Sequence, residues 1–119
     1  MRAATVALVA GVLLGACGGS SASQPAGSTK VTMTEYHFEP STISLPSGKA
    51  VFFLVNAGTT SHDLSIRDSS GATVAHSDLV SAGDTFVFTV DNIAAGKYTY
   101  FCSQTGHEAA GMKGDLTVS

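Results

Sequence analysis

The chain has 119 residues, with six Lys and Arg against nine Asp and Glu, and its formal net charge is −3 at pH 7. This length accommodates one domain rather than two. No cluster of basic residues occurs, which argues against nucleic acid as a partner. The acidic residues are scattered, as on an ordinary solvated surface.

The N-terminal segment predicts export. Met1-Arg2 is a short positive region, and the apolar stretch Ala3–Leu14 has the length of a signal peptide but is too short to span a bilayer as a helix. The run Leu14-Gly15-Ala16-Cys17 is typical of a bacterial lipobox, in which the cysteine receives lipid and becomes the mature N-terminus. An ordinary signal peptide with a chance cysteine is the alternative. We expect a lipoprotein signal peptide over residues 1–16 and lipidation of Cys17.

The next segment is rich in Gly, Ser, Ala and Pro and has no apolar period, which is typical of a flexible tether. We therefore assign residues 17–29 to the lipidated cysteine and its linker, and residues 30–119 to a single folded domain. With Cys17 lipidated, Cys102 is the one remaining thiol, so no disulfide can form within the chain. A lone thiol in an exported domain needs an explanation.

From Lys30 onward the sequence predicts short β-strands. Val, Phe, Tyr and Thr are frequent, Gly and Pro recur at short intervals, and no segment has a convincing 3.6-residue apolar period. We expect strands at Val31–Glu35, Thr42–Leu45, Ala50–Val55, His62–Arg67, Thr85–Val90, Lys97–Cys102 and Gly114–Val118. The stretch Ala72–Val80 stays open between a further strand and an irregular excursion with a helical turn.

Alternation along these strands predicts the fold class. Phe86, Phe88 and Val90 share one face of their strand, and Ile43 and Leu45 share one face of theirs. Half-buried strands with short connections fit an all-β domain, an antiparallel Greek-key β-sandwich. Parallel pairing is not expected, because the chain offers no crossover helix.

One loop carries the residues that indicate chemistry. The segment Cys102-Ser-Gln-Thr-Gly-His107-Glu-Ala-Ala-Gly-Met112 places a thiol, an imidazole and a thioether after an aromatic strand, and His62 lies far upstream at the start of another strand. Two His, one Cys and a weak axial Met are the ligands of a blue-copper electron-transfer site. The soft sulfurs suit Cu(I) and the imidazoles suit Cu(II). The pattern predicts one copper ion bound by these four residues.

The glycines of the same loop fit this prediction. Gly106 and Gly111 each precede a predicted ligand, where they allow the sharp backbone turns that aim both side chains inward. Of the other candidates, we expect His37 and His76 to be surface or packing residues and Met33 to lie in the core. We expect Glu108 to lie in a solvated loop.

The sequence resembles the cupredoxins over nearly all of residues 30–119. The segments that carry the resemblance are Tyr36–Pro40 (YHFEP) with Thr42–Leu45, Phe52–Asn56 followed by His62, Ala95–Cys102 (AGKYTYFC) and Met112–Val118 (MKGDLTV). The Cys-x₄-His-x₄-Met spacing is longer than that of plastocyanin and is similar to that of rusticyanin or auracyanin.

The resemblance implies two further features of the site. The histidine on the cysteine loop, His107, would expose its ring edge through a small apolar patch for partner docking, formed in part by Gly106, Ala109, Ala110 and Gly111. Cupredoxins commonly have Asn directly after the first histidine, whereas this chain has Asp63. An ionised Asp63 cannot donate a hydrogen bond, but it can accept one from the Ser103 hydroxyl or from a nearby N–H.

These observations predict a non-enzymatic copper protein that carries single electrons between membrane-associated redox partners. We expect a monomer with transient protein contacts, held outside the cytoplasm by its lipid anchor at the cell surface or in the periplasm. Two alternatives stay open. The same ligands could serve a lipoprotein that binds and delivers copper, and a metal-free β-sandwich could serve as an interaction module.

Overall fold

The computed structural model describes residues 22–119. The predicted signal peptide and the predicted lipidation site at Cys17 lie outside these residues. The described part forms nine strands, and none of its segments is a helix long and apolar enough to cross a membrane. The strands are β1 (Thr29–Thr34), β2 (His37–Glu39), β3 (Thr42–Leu45), β4 (Gly48–Asn56), β5 (Ser65–Asp68), β6 (Thr73–His76), β7 (Thr85–Ile93), β8 (Gly96–Phe101) and β9 (Lys113–Val118).

The strands build two sheets, ordered β2-β1-β4-β7 and β3-β9-β8-β5-β6. The prediction of an all-β sandwich is confirmed. The expectation that parallel pairing is absent was wrong, because β1 pairs with β4 and β3 pairs with β9 in parallel. A parallel pair needs a long crossover, which is usually a helix. Here strands make the crossover, since the chain between β1 and β4 passes through β2 and then through β3 in the opposite sheet.

The strands differ from the prediction in several places, since β2 was not predicted, β7 continues to Ile93, and two boundaries move beside the candidate ligands. The strand predicted from His62 begins only at Ser65, and the backbone of His62 instead makes an isolated bridge with Val80. Cys102 lies just beyond the end of β8. The open stretch Ala72–Val80 contains the short strand β6. Both candidate ligands therefore lie in loops at one end of the sandwich, where side chains can converge.

The core between the sheets follows the predicted alternation. Phe88 is buried and Phe86 and Val90 are half-buried, while Val87 on the opposite face is 38% exposed. The Phe52 and Phe88 rings stack at 5.8 Å within one sheet, and the Phe38 ring of that sheet meets the Tyr100 ring of the other sheet edge-to-face at 5.3 Å. Each fully buried large apolar side chain stabilises the fold by about 1.5–3 kcal/mol relative to an exposed one. This core includes Met33, as predicted.

The folded part begins slightly before residue 30. Thr29 already belongs to β1, and the amide and hydroxyl of Ser28 both donate to the Pro25 carbonyl, at 3.2 and 2.6 Å. The amide of Ala22 donates to the Thr85 hydroxyl at 3.3 Å. The last residues of the predicted linker therefore lie against the domain.

Candidate metal centre

Three side chains from two loops converge at one end of the sandwich. The Nδ1 atoms of His62 and His107 lie 3.2 Å apart, and the Cys102 Sγ atom lies 3.4 Å from His107 Nδ1 and 3.9 Å from His62 Nδ1. His62 and Cys102 are buried, and His107 is half-buried. Because all three donor atoms lie within 4.8 Å of one another, they could hold one metal ion.

The separations between these atoms suit a metal ion placed among them. For metal–nitrogen bonds of about 2.0–2.1 Å and a metal–sulfur bond of about 2.3 Å, a trigonal site separates the two nitrogens by about 3.5 Å and nitrogen from sulfur by about 3.7 Å. The observed values of 3.2, 3.4 and 3.9 Å lie close to these separations. When neither Nδ1 atom carries a proton, their lone pairs repel at this distance, and a bound cation would relieve that repulsion. The donor set therefore fits copper, which takes both imidazole and thiolate.

The burial of the site sets the protonation of its ligands. Burial lowers the pKa of His62, although a hydrogen bond to Glu35 opposes that shift, so the neutral imidazole that binds metals is favoured. Burial also raises the pKa of the Cys102 thiol. Since the thiolate is the ligand, metal binding must displace this proton.

The loop after Cys102 folds back so that Met112 returns to the site. The Met112 amide donates to the His107 carbonyl at 3.1 Å, and its own carbonyl accepts from the Cys102 amide at 3.2 Å. The Met112 side chain is fully buried in the same cluster as Cys102. Gly106 and Gly111 have φ of 81° and 112°, in the left-handed region that favours glycine, so both make the turns for which the sequence selects them.

A carboxylate ties the two ligand loops together. The amide of Ser103 donates to Asp63 Oδ1 at 2.7 Å, and the Ser103 hydroxyl donates to Asp63 Oδ2. Asp63 is 6% exposed and Ser103 is exposed, so the link is shielded from water on the Asp63 side. It joins the residue after His62 to the residue after Cys102, which fixes the spacing between these two donors.

The loop that leads to His62 is braced by an amide side chain. Asn56 Nδ2 donates to the carbonyls of Thr60 and Val80 at 2.9 and 2.8 Å, and Asn56 Oδ1 accepts from the Gly58 amide at 2.9 Å. Asn56 is buried, and its amide group is therefore satisfied inside the protein.

Sequence reasoning missed Glu35, which contacts His62 from the side opposite the other donors. Glu35 Oε1 accepts from the amides of Thr60 and Thr59 at 2.9 and 2.7 Å and lies 3.3 Å from His62 Nε2. The hydrogen bond from the Thr60 amide, and after it the one from the Thr59 amide, lowers the pKa of the Glu35 carboxyl group to about 2. In the sequence, Glu35 is visible only as a carboxylate at the end of a predicted strand. Its place beside the His62 loop follows from the parallel pairing of β1 with β4, which the sequence did not predict.

Glu108 lies in a loop, as predicted, but its side chain is half-buried and paired with Arg67 rather than fully solvated. The two Arg67 guanidinium nitrogens Nη1 and Nη2 donate to its two carboxylate oxygens at 2.8 and 2.5 Å, and the guanidinium lies 4.6 Å from the centre of the Phe101 ring. Two parallel hydrogen bonds of this kind are the bidentate geometry of an Arg–carboxylate pair, and they fix the orientation of both groups. It links the residue after His107 to β5, and so restrains the ligand loop from a second direction.

The predicted docking residues surround His107 on the surface. Gly106, Ala109, Ala110 and Gly111 are all exposed. Sequence reasoning missed a further member of this surface, Tyr36, which is 47% exposed and meets the His107 ring edge-to-face at 5.2 Å.

The two remaining histidines lie away from the donor cluster. His37 and His76 are exposed, as predicted for surface residues. His37 lies 3.5 Å from the Glu39 carboxylate on the same strand, in an exposed pair.

Comparison with known proteins agrees with the fold. The family model described as a cupredoxin-like domain matches residues 5–118. Plastocyanin of Scenedesmus fuscus is 37% identical over 87 residues, which cover 68% of this chain and 85% of that protein. Auracyanin B superimposes with a TM-score of 0.71 at 23% identity, over 82% of this chain and 92% of its own.

Auracyanin A, a blue copper protein from the green thermophilic photosynthetic bacterium Chloroflexus aurantiacus, superimposes with a TM-score of 0.64 at 20% identity, over 76% of this chain and 99% of its own. At such identities the two auracyanins establish the likeness of fold, while the family model and the plastocyanin match establish the relationship. The chain belongs to the cupredoxin family.

Proposed function

We propose that this cupredoxin is a blue-copper electron carrier that holds one copper ion through His62, Cys102, His107 and Met112. The observation that carries the proposal is the convergence of two imidazole nitrogens and one cysteine sulfur at 3.2 to 3.9 Å. Bound copper would gain or lose one electron, and the four residues of this chain would keep their donor atoms in one arrangement around it. We infer that the chain is not an enzyme, since four protein donors leave no coordination position for a substrate.

The rigidity of the loops favours electron transfer over copper delivery. A delivery protein must release its metal readily, whereas His62 and Cys102 are buried and their loops are joined through Asp63 and Ser103. A fixed donor set reduces the rearrangement that accompanies each change of oxidation state. Copper delivery is therefore the weaker candidate.

We propose that the exposed surface around His107 is the docking face for redox proteins. Small uncharged side chains permit close approach, and a transient partner needs fast release more than affinity. Ala109 and Ala110 therefore lie where a partner would contact the site, and the protein itself is expected to act as a monomer.

We also propose that lipid on Cys17 anchors the protein outside the cytoplasm, at the cell surface or in the periplasm, where its redox partners would be membrane-associated. The support is the lipobox-like run ending at Cys17 and the Gly/Ser-rich segment after it. Because Ala22 already contacts Thr85, only about four residues separate Cys17 from the domain, and a flexible segment of that length reaches about 11 Å on average. The domain would then stay near the membrane surface.

Cys102→Ser should give a colourless protein. The charge transfer from thiolate to copper produces the strong visible colour, and no other residue of the site can supply that sulfur. Absorption after addition of Cu(II) measures the effect, and an unchanged far-UV circular dichroism spectrum shows that the variant folds. A Cys102→Ser protein that is still blue would contradict the site assignment.

Asp63→Asn should raise the reduction potential while the blue colour stays. A unit negative charge near the metal favours the oxidised form by about 1–2 kcal/mol at an effective dielectric of about 20, and this corresponds to roughly 40–90 mV. Asn keeps the size of Asp and can still accept from the Ser103 amide and donate to its hydroxyl. Protein-film voltammetry measures the shift, and a potential that is unchanged or lower would contradict the electrostatic role.

Ala109→Glu and Ala110→Glu should slow electron exchange with a redox partner several-fold and leave the visible spectrum unchanged. Each adds a charge and a longer side chain to the proposed docking face. Ala95→Glu adds the same charge next to the start of β8, at the end of that strand away from Cys102, and serves as the control. Stopped-flow kinetics with another electron-transfer protein measure the rates. Equal rates for all three variants would place docking elsewhere.

Cys17→Ala should remove the protein from the membrane fraction or leave it unprocessed. Cys102→Ser is the matched control, because it removes the other thiol and should stay in the membrane fraction. Immunoblots of the membrane and soluble fractions show where each variant is found. Wild-type protein that is entirely in the soluble fraction would contradict the anchor.

A further inference from the structure

We infer that Glu35 is a positioning residue for His62, which it orients toward the metal, and that its negative charge favours the oxidised state of the site. The inference rests on the proposed copper centre but concerns a residue outside the ligand set. Glu35 lies after the end of β1 and approaches His62 from the side of the ring opposite Cys102 and His107.

The contacts of Glu35 determine which nitrogen of His62 carries the proton. Glu35 Oε1 accepts from the amides of Thr59 and Thr60, so this oxygen carries no proton, and His62 Nε2, at 3.3 Å from the same oxygen, must be the donor. A neutral imidazole with its proton on Nε2 presents the lone pair of Nδ1. His62 Nδ1 is the atom that faces Cys102 Sγ and His107 Nδ1.

A glycine makes room for this pair. A Cβ atom at Gly58 would lie 2.5 Å from Glu35 Oε1 and 3.0 Å from His62 Nε2. Neither distance is compatible with the present positions of these two groups. A side chain at residue 58 would therefore displace the Glu35 carboxylate from its present place beside His62, whereas glycine leaves room for the contact.

The charge of Glu35 acts in the same direction as its hydrogen bond. A carboxylate bonded to the outer nitrogen of a metal-binding imidazole makes that imidazole a stronger donor. The negative charge also attracts the oxidised metal more strongly, because that metal carries one more positive charge. Both effects favour Cu(II), so their removal should shift the equilibrium toward Cu(I).

Two substitutions at Glu35 separate charge from orientation. Glu35→Gln removes the charge but keeps a carbonyl oxygen that can accept from His62 Nε2, whereas Glu35→Leu removes both. The chain also offers a matched control, since Glu39→Gln removes the same charge beside His37, which is exposed and lies outside the donor cluster.

In the copper-loaded protein, Glu35→Gln should raise the equilibrium constant for reduction about tenfold, which is about 59 mV for a one-electron couple. Glu35→Leu should do the same and should also lower Cu(II) affinity by about 10- to 100-fold. Glu39→Gln should change either quantity by less than about twofold. A Glu35→Gln protein within twofold of wild type in its reduction equilibrium would overturn the charge role.

The metal-free protein tests orientation without copper. Long-range proton–nitrogen NMR should show the His62 proton on Nε2 in the wild type and in Glu35→Gln, and a mixture of both tautomers in Glu35→Leu. A wild-type proton on Nδ1, or an unchanged tautomer in Glu35→Leu, would overturn the positioning role. Failure of the proposed function is a different result, since wild-type protein would then not turn blue with Cu(II).

Discussion

The close approach of His62 Nδ1 and His107 Nδ1, 3.2 Å apart and beside a buried thiol, is the constraint around which this end of the sandwich is organised. The surrounding chain helps to hold these three donor atoms together. The neighbouring antiparallel strands β5 and β8 set the spacing between the His62 and Cys102 loops, since Ser65 pairs with Phe101. Hydrogen bonds between and within the loops then set the final positions.

Carboxylates supply much of that support. Asp63 joins the two ligand loops through Ser103, Glu108 ties the loop of His107 to Arg67, and Glu35 contacts the outer nitrogen of His62. In each case a charged group lies next to a ligand in sequence or in space, so the same residues that fix the geometry also shape the electrostatics. Asp63 and Glu35 both add negative charge near the metal, which favours its higher oxidation state.

Local patterns in the sequence predict the sandwich and the candidate ligands Cys102, His107 and Met112. The assignment of His62, which lies 40 residues before Cys102, depended instead on the resemblance to the cupredoxins. The Cys-x₄-His-x₄-Met spacing and the alternation of Phe86, Phe88 and Val90 are visible without the fold. The role of Glu35 is not visible, because it depends on β1 pairing with β4 in parallel across a crossover made by strands. The pairing of Glu108 with Arg67 was not predicted because 41 residues separate them in the sequence. Long-range partners of polar residues leave no periodic signal.

The most direct test of the account is a titration of the wild-type protein with Cu(II) under visible absorption. The account predicts an intense blue band that saturates at one copper per chain and bleaches when a reductant is added. That band requires a thiolate bound to copper beside the two imidazoles. Weak or absent colour in a folded protein that contains copper would contradict the proposed centre.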